Sequence, residues 1–201
     1  MNNMDCFFVY DGIIAAQTKD INELFTETFL SSFDVIIEIG ANRGGLTKYI
    51  ADTLAGYPTI IYSYEIDPTV LMIPADYIPP HRGNIFLHTW KGHVEELIRK
   101  LRANTRVLLL CDGGNKEEEF NELAPLLTYG DVIMLHDYTN GSNLAEFKRN
   151  GWYSMPEALY SNIERTVNSC ILYEDPTTHK FLWGKFVKAH IEDMDNISGG
   201  S

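Results

Sequence analysis

The chain lacks several features that would assign it to common classes. Its apolar runs, such as VIIEI at 35–39 and VLLLC at 107–111, fall far short of the roughly 20 residues that a membrane-spanning helix needs. Asp5 stands near the start and no Lys or Arg precedes Lys19, so no secretory leader is expected. Cysteine is scarce. Cys6, Cys111 and Cys170 form no C-x-x-C pair, and any bridge would leave one over, which points to a reduced, cytoplasmic compartment. No cluster of Lys and Arg is present. Lys plus Arg number 16 against 28 Asp plus Glu, and a net charge of −12 repels a phosphate backbone. Nucleic acid is therefore excluded as a main partner, and no membrane association is expected. There is no internal repeat and no low-complexity block.

What remains is an ordinary globular composition. The 201 residues are 45% hydrophobic, enough for a sizeable core in one domain over 1–197, and the terminal SGGS at 198–201 reads as a flexible tail. Five short runs, mostly apolar at consecutive positions, occur at 35–39, 59–64, 84–88, 106–111 and 131–136. That is the pattern of strands buried on both faces of a parallel sheet. Helical stripes alternate with them. Leu46, Tyr49, Ile50 and Leu54 share one face over 44–54, and Val94, Leu97, Ile98 and Leu101 share one over 92–103. Over 117–127, three acids precede Phe120, Leu123, Leu126 and Leu127, as suits a helix N-terminus. The segment 68–77 is a weaker helix, interrupted by Pro74 and ended by Pro79-Pro80. A further helix is expected over 19–30, another over 158–170, and a closing strand over 180–189; a strand at 169–173 is left open. This alternation predicts an α/β, doubly wound, mostly parallel sheet with right-handed crossovers.

In such a sheet the ligand binds beyond the C-terminal strand ends, near the point where strand order reverses. The five ends carry Glu38, Gly40, Asn42, Gly44 and Gly45; then Glu65 and Asp67; then His88, Thr89 and Trp90; then Asp112, Gly113 and Gly114; then His136 and Asp137. EIGANRGGLT at 38–47, which ends on Thr47, is the most specific. Its glycines permit a tight turn with close backbone approach. Glu38 would repel a pyrophosphate and suits a ligand bearing an amine or sulfonium. The alternative is a plain glycine-rich turn capped by Glu38. In YSYEID, Glu65 is placed to accept hydrogen bonds from two ribose hydroxyls; an isolated strand-end acid is more often simply solvated.

EIGANRGGLT followed by YEID resembles motifs I and II of the class I S-adenosylmethionine-dependent methyltransferases. The stretch LLLCDGGNKEEEFNELAPLLTYGDVIMLHDY resembles the cephalosporin hydroxylase and rhamnosyl O-methyltransferase-like branch, in which one strand ends in a D-G-D-H-like motif and a later one in H-D or E-D. Gly12 to Gln17 is similar to the G-x-x-x-x-Q that leads into that branch. The likeness covers roughly 12–140. It implies a Rossmann-like, three-layer α/β/α fold, S-adenosylmethionine as cofactor, and a small-molecule or sugar hydroxyl as methyl acceptor. There are departures. Asn42 replaces the middle glycine, though Asn tolerates left-handed backbone. Gly114 and Asn115 replace a carboxylate and an imidazole, and the paired-glycine turn is reduced to Tyr129-Gly130-Asp131.

The resemblance also places Asp112, His136 and Asp137 where related enzymes hold a divalent ion. The two acids would suit Mg²⁺ or Ca²⁺, and His136 in the coordination sphere would favour Mn²⁺, Fe²⁺ or Zn²⁺. In a second reading His136 is a general base oriented by a carboxylate, without metal. In a third, the acids cap loops and the histidine is structural. Trp90 could stack on adenine or pack in the core. The aromatic stretch GWYSMPEALY, ending at Tyr160, could form a lid, a sugar-stacking surface or a homodimer contact. Two other functions stay open: a nicotinamide-dependent Rossmann oxidoreductase, disfavoured by Glu38 and the missing G-x-G-x-x-G, and a methyltransferase-like protein that binds without turnover.

Overall fold

The described chain opens with a hairpin, β1 (Phe7–Tyr10) paired antiparallel with β2 (Ile13–Thr18). The structure is a computed structural model, and it describes residues 7–101, 104–150 and 156–190. After a short 3-10 turn at Ile21–Glu23 and the one-turn helix α1 (Glu27–Leu30) come five strands: β3 (Val35–Ile39), β4 (Ile60–Tyr64), β5 (Gly83–Phe86), β6 (Val107–Cys111) and β7 (Val132–His136). Between them lie α2 (Gly45–Thr53), α3 (His93–Lys100) and α4 (Lys116–Leu123). The remainder comprises a two-residue strand β8 (Tyr138–Thr139), α5 (Leu144–Asn150), a second two-residue strand β9 (Ala158–Leu159) parallel to β8, α6 (Tyr160–Ser169), β10 (Leu172–Asp175) and β11 (Trp183–Lys188).

The main sheet has seven strands in the order β10-β11-β7-β6-β3-β4-β5. β5, β4, β3, β6 and β7 run parallel, while β11 is antiparallel to β7 and to β10. This is the mostly parallel, doubly wound α/β sheet expected from the alternating runs. Every residue of β3, β6 and β7 is buried, which explains why these strands read as continuous apolar runs. On one face Val35, Ile37, Leu109, Ile133 and Leu135 pack with α3, α4 and α6. On the other, Ile36, Leu108, Leu110 and Met134 pack with Leu46 and Ile50 of α2, with Phe25 and with Ile13 of the hairpin. The order reverses at β3: β4 follows on one side and β6 on the other.

Two helical expectations are corrected. Over 68–77 there is no helix. The prolines break it into turns, and it is tied down by the Met72 N–H donating to the Arg43 carbonyl (3.0 Å) and by buried Ile73. Over 19–30 the helix is split, because Thr26 takes an extended conformation and caps a new turn by accepting from the Phe29 N–H (3.2 Å). The segment left open at 169–173 divides: Ser169 closes α6, and Leu172 and Tyr173 begin β10. Cys6, the tail at 198–201 and residues 152–155 of the aromatic segment lie outside the described residues.

Where the order reverses, the turn after β3 is pressed against the end of β6. Gly40 has φ +88°, and a Cβ there would lie 2.3 Å from the Asp112 carbonyl oxygen. A side chain would have to push two strand ends apart and adopt a conformation that L residues disfavour. Gly40→Ala is therefore expected to cost on the order of 2–4 kcal/mol of stability, measured by chemical denaturation. A variant as stable as the wild type would contradict this packing.

Candidate functional site

A cavity of about 590 Å³ opens at the C-terminal strand ends on both sides of the order reversal, a size suited to a small-molecule site. Its wall comes from Ile39, Gly40 and Asn42 after β3, Glu65, Ile66 and Asp67 after β4, His88, Thr89 and Trp90 after β5, and Asp112 to Asn115 after β6. Seven of the ten cofactor candidates thus line one cavity: Gly40, Asn42, Glu65, Asp67, Thr89, Trp90 and Asp112.

Glu65 fastens two of these loops together. One carboxylate oxygen accepts the Asn42 N–H (2.7 Å), and the other accepts the Asp67 N–H (2.8 Å). Asn42 takes the left-handed conformation that the missing glycine would have supplied, with φ +51°. Each Glu65 oxygen keeps lone-pair capacity toward the cavity.

Glu38, Gly44 and Thr47 stand back from the cavity wall. Glu38 is buried, and its Oε2 accepts from the Thr47 hydroxyl (2.5 Å) and the Ser63 hydroxyl (2.7 Å), joining β3, α2 and β4 beneath the turn. Burial pushes its carboxyl up to about 7, against the two hydroxyl donors that pull it down. Gly44 caps α2 and abuts the Ile73 side chain.

Asp112 is the hub on the other side. Its Oδ2 accepts from the Gln17 amide (2.6 Å), whose own oxygen accepts from the Trp183 indole N–H (2.9 Å). Its Oδ1 faces His136 Nδ1 at 2.8 Å. The Asp137 Oδ2 is 3.5 Å from the same ring nitrogen. Burial works against a charged His136, but Asp112 and Asp137 outweigh it and raise its pKa. Asp137 is raised in turn, by burial first, with His136 pulling it back. Of the three candidate catalytic residues, Asp112 alone lines the cavity; His136 and Asp137 are buried behind it.

Four participants escaped the sequence reading in these roles. Gln17 carries a sequence signal only as part of the leading G-x-x-x-x-Q. Glu119 lines the cavity wall, and burial pushes its carboxyl up to about 7 despite the Gly113 N–H it accepts (3.3 Å). Glu157 reaches in from the approach to β9. Lys116, in the first turn of α4, donates to Glu157 Oε2 (2.5 Å) and lies 3.8 Å from Asp112 Oδ1 and 3.7 Å from Asp137 Oδ2. Burial opposes its charge, but Asp112, Glu157 and Asp137 prevail and hold its pKa above that of an ordinary lysine. A lysine at the positive end of a helix was the one available signal.

Asp112, His136 and Asp137 do not form a coordination sphere as folded. The Lys116 ammonium already stands among the acids. A divalent ion about 4 Å from it would be repelled by on the order of 8 kcal/mol at an effective dielectric near 20. Asp137 Oδ1 is buried with no hydrogen-bond partner among the described residues, but one free oxygen is not a metal site. Among the described residues, no group of three or more His, Cys, Asp or Glu side chains is arranged to hold a metal ion.

The chain is similar to solved methyltransferase structures. Against the apo structure of CmcI-N160 the TM-score is 0.64 at 13% identity, covering 90% of this chain and 76% of that one. For CmcI-D160 with Mg and SAM the values are 0.59, 16%, 89% and 76%. For the O-methyltransferase TomG from Streptomyces achromogenes, involved in tomaymycin synthesis and complexed with SAM, they are 0.51, 14%, 88% and 82%. The fold is a methyltransferase fold. No protein-family model matches the chain, and no curated protein matches it. Among the described residues no helix is long and apolar enough to cross a membrane.

The raised Glu38 pKa predicts a pH dependence. Its folded value of about 7 lies above the ordinary carboxyl value of 4.5, so the folded state binds the proton more tightly. The Glu38 contribution is complete below the lower value and is lost as pH rises through the upper one. Glu38→Gln keeps an oxygen for Thr47 and Ser63 and removes the charge. Relative to the wild type, it is expected to gain on the order of 2 kcal/mol between acid and neutral pH, read from denaturation midpoints. A constant difference across that window would refute the shift.

Proposed function

We propose that the chain is an S-adenosylmethionine-dependent methyltransferase that methylates a hydroxyl of a small molecule, with a sugar or other polyol as the acceptor class. The observation that carries this reading is the single cavity shared by the Gly40–Asn42 turn, Glu65 and Asp112 at the reversal of strand order. The likeness to CmcI with Mg and SAM and to TomG with SAM supports it. The two buried free cysteines, Cys111 and Cys170, support the reduced cytoplasm as its compartment.

The residues present fit the cofactor. Glu65 would hold the pentose hydroxyls, the backbone at Gly40 and Asn42 the amino-acid end, and Thr89 and Trp90 the base. When bound, S-adenosylmethionine supplies a methyl group on a sulfonium, open to in-line attack by an oxygen nucleophile. The protein's task is then alignment, exclusion of water and removal of the hydroxyl proton. Asp112 reaches the cavity and receives that proton. Gln17 and His136 fix its carboxylate from either side, and His136 shares the positive charge behind it.

Calorimetry with S-adenosylmethionine and S-adenosylhomocysteine tests the reading. Both are expected to bind at micromolar concentration, and Glu65→Ala to weaken them at least about tenfold by removing the pentose acceptor and freeing two loop N–H groups. No binding at millimolar ligand would overturn the proposal. Energy transfer from tryptophan to bound NADH would instead favour a nicotinamide enzyme. Turnover on a panel of hydroxyl acceptors is expected to fall at least about 100-fold in Asp112→Ala. Tight binding without turnover on any acceptor would leave a binding protein.

A further inference from the structure

Three carboxylates converge on the Lys116 ammonium from separate parts of the chain: Asp112 at the end of β6, where it lines the cavity, buried Asp137 after β7, and half-exposed Glu157 before β9. We infer that the Lys116 ammonium is the resident cation of this cluster, standing where a divalent ion would have to stand and keeping the cluster closed to metal.

The position of Lys116 is costly in every other respect. It lies in the first turn of α4, where the helix dipole disfavours a positive charge. Its side chain is only 7% exposed, so the ammonium has given up most of its water. The acids alone compensate these costs. The ammonium donates to Glu157 at 2.5 Å and stays 3.7 and 3.8 Å from Asp137 and Asp112, too far to be hydrogen-bonded to either. It is placed between them as a shared counter-charge. Asp137 Oδ1 is buried without a hydrogen-bond partner among the described residues, and the ammonium joins His136 as the positive charge near Asp137. Asp137 and Asp112, at 2% and 13% side-chain exposure, need a cation this close, and a tethered ammonium that half-exposed Glu157 also holds meets that need without coordination chemistry. The inference does not depend on methyl transfer, since it concerns charge and space in a cluster behind the cavity.

The test is titration of the full chain with Mn²⁺, following loss of the free-ion signal by electron paramagnetic resonance. The wild type is expected to show no bound Mn²⁺ that Asp137→Asn removes, even at millimolar ion. Lys116→Met, with the three acids intact, is expected to take up one Mn²⁺ at least about 100-fold more tightly than the wild type. If the single variant does not fold, Lys116→Met combined with Glu157→Gln relieves one charge and is expected to show the same gain. Stoichiometric Mn²⁺ binding by the wild type, abolished by Asp137→Asn, would overturn the inference. So would a folded variant with no gain. Adenosyl-ligand binding at Glu65 is read separately, so failure here is distinguishable from failure of the proposed function.

Discussion

One tight backbone approach is the constraint on which the rest of the site is built. Gly40 brings the turn after β3 against the carbonyl of Asp112, leaving no space for a Cβ. That contact places two strand ends side by side at the reversal of order. One end carries the turn that Glu65 clamps from the neighbouring strand. The other carries Asp112, whose carboxylate is held on one side by Gln17 from the hairpin and on the other by His136. The cavity and the buried charge cluster are thus the two sides of a single junction.

The charge cluster and the cavity divide the polar residues by depth. Glu65 and Asp112 face the cavity. Glu38, His136, Asp137 and Lys116 lie behind it and hold the facing groups in place. Glu38 and Asp137 in this deeper layer carry raised pKa values because desolvation outweighs what pulls them down, the Thr47 and Ser63 hydroxyls at Glu38 and the charges of His136 and Lys116 at Asp137. Such groups store electrostatic free energy that a purely apolar layer would not. They are retained where a site must fix the orientation of a carboxylate.

The sheet was legible because its central strands are buried on both faces, and parallel strands of that kind read as unbroken apolar runs. The cavity wall was legible because the ligand end of such a sheet follows from topology: Gly40, Glu65, Asp112 and their neighbours come together on that rule alone. Depth was not legible. Nothing in EIGANRGGLT distinguishes Gly40, which touches the cavity, from Glu38 and Thr47, which hydrogen-bond to each other beneath it. The hairpin escaped although Asp11-Gly12, both with positive φ, is a recognisable turn dipeptide; the short strands on either side lack clean alternation. Glu157 carried no signal, because its partner Lys116 lies 41 positions away and a single exposed-looking acid has no pattern.

The most direct measurement is a crystal structure of the protein in complex with S-adenosylhomocysteine. The account predicts the nucleoside between the Gly40–Asn42 turn and Trp90, with its pentose hydroxyls on Glu65 and its sulfur turned toward Asp112. A nucleoside bound anywhere else, or a Glu65 carboxylate turned to bulk solvent in the complex, would contradict it.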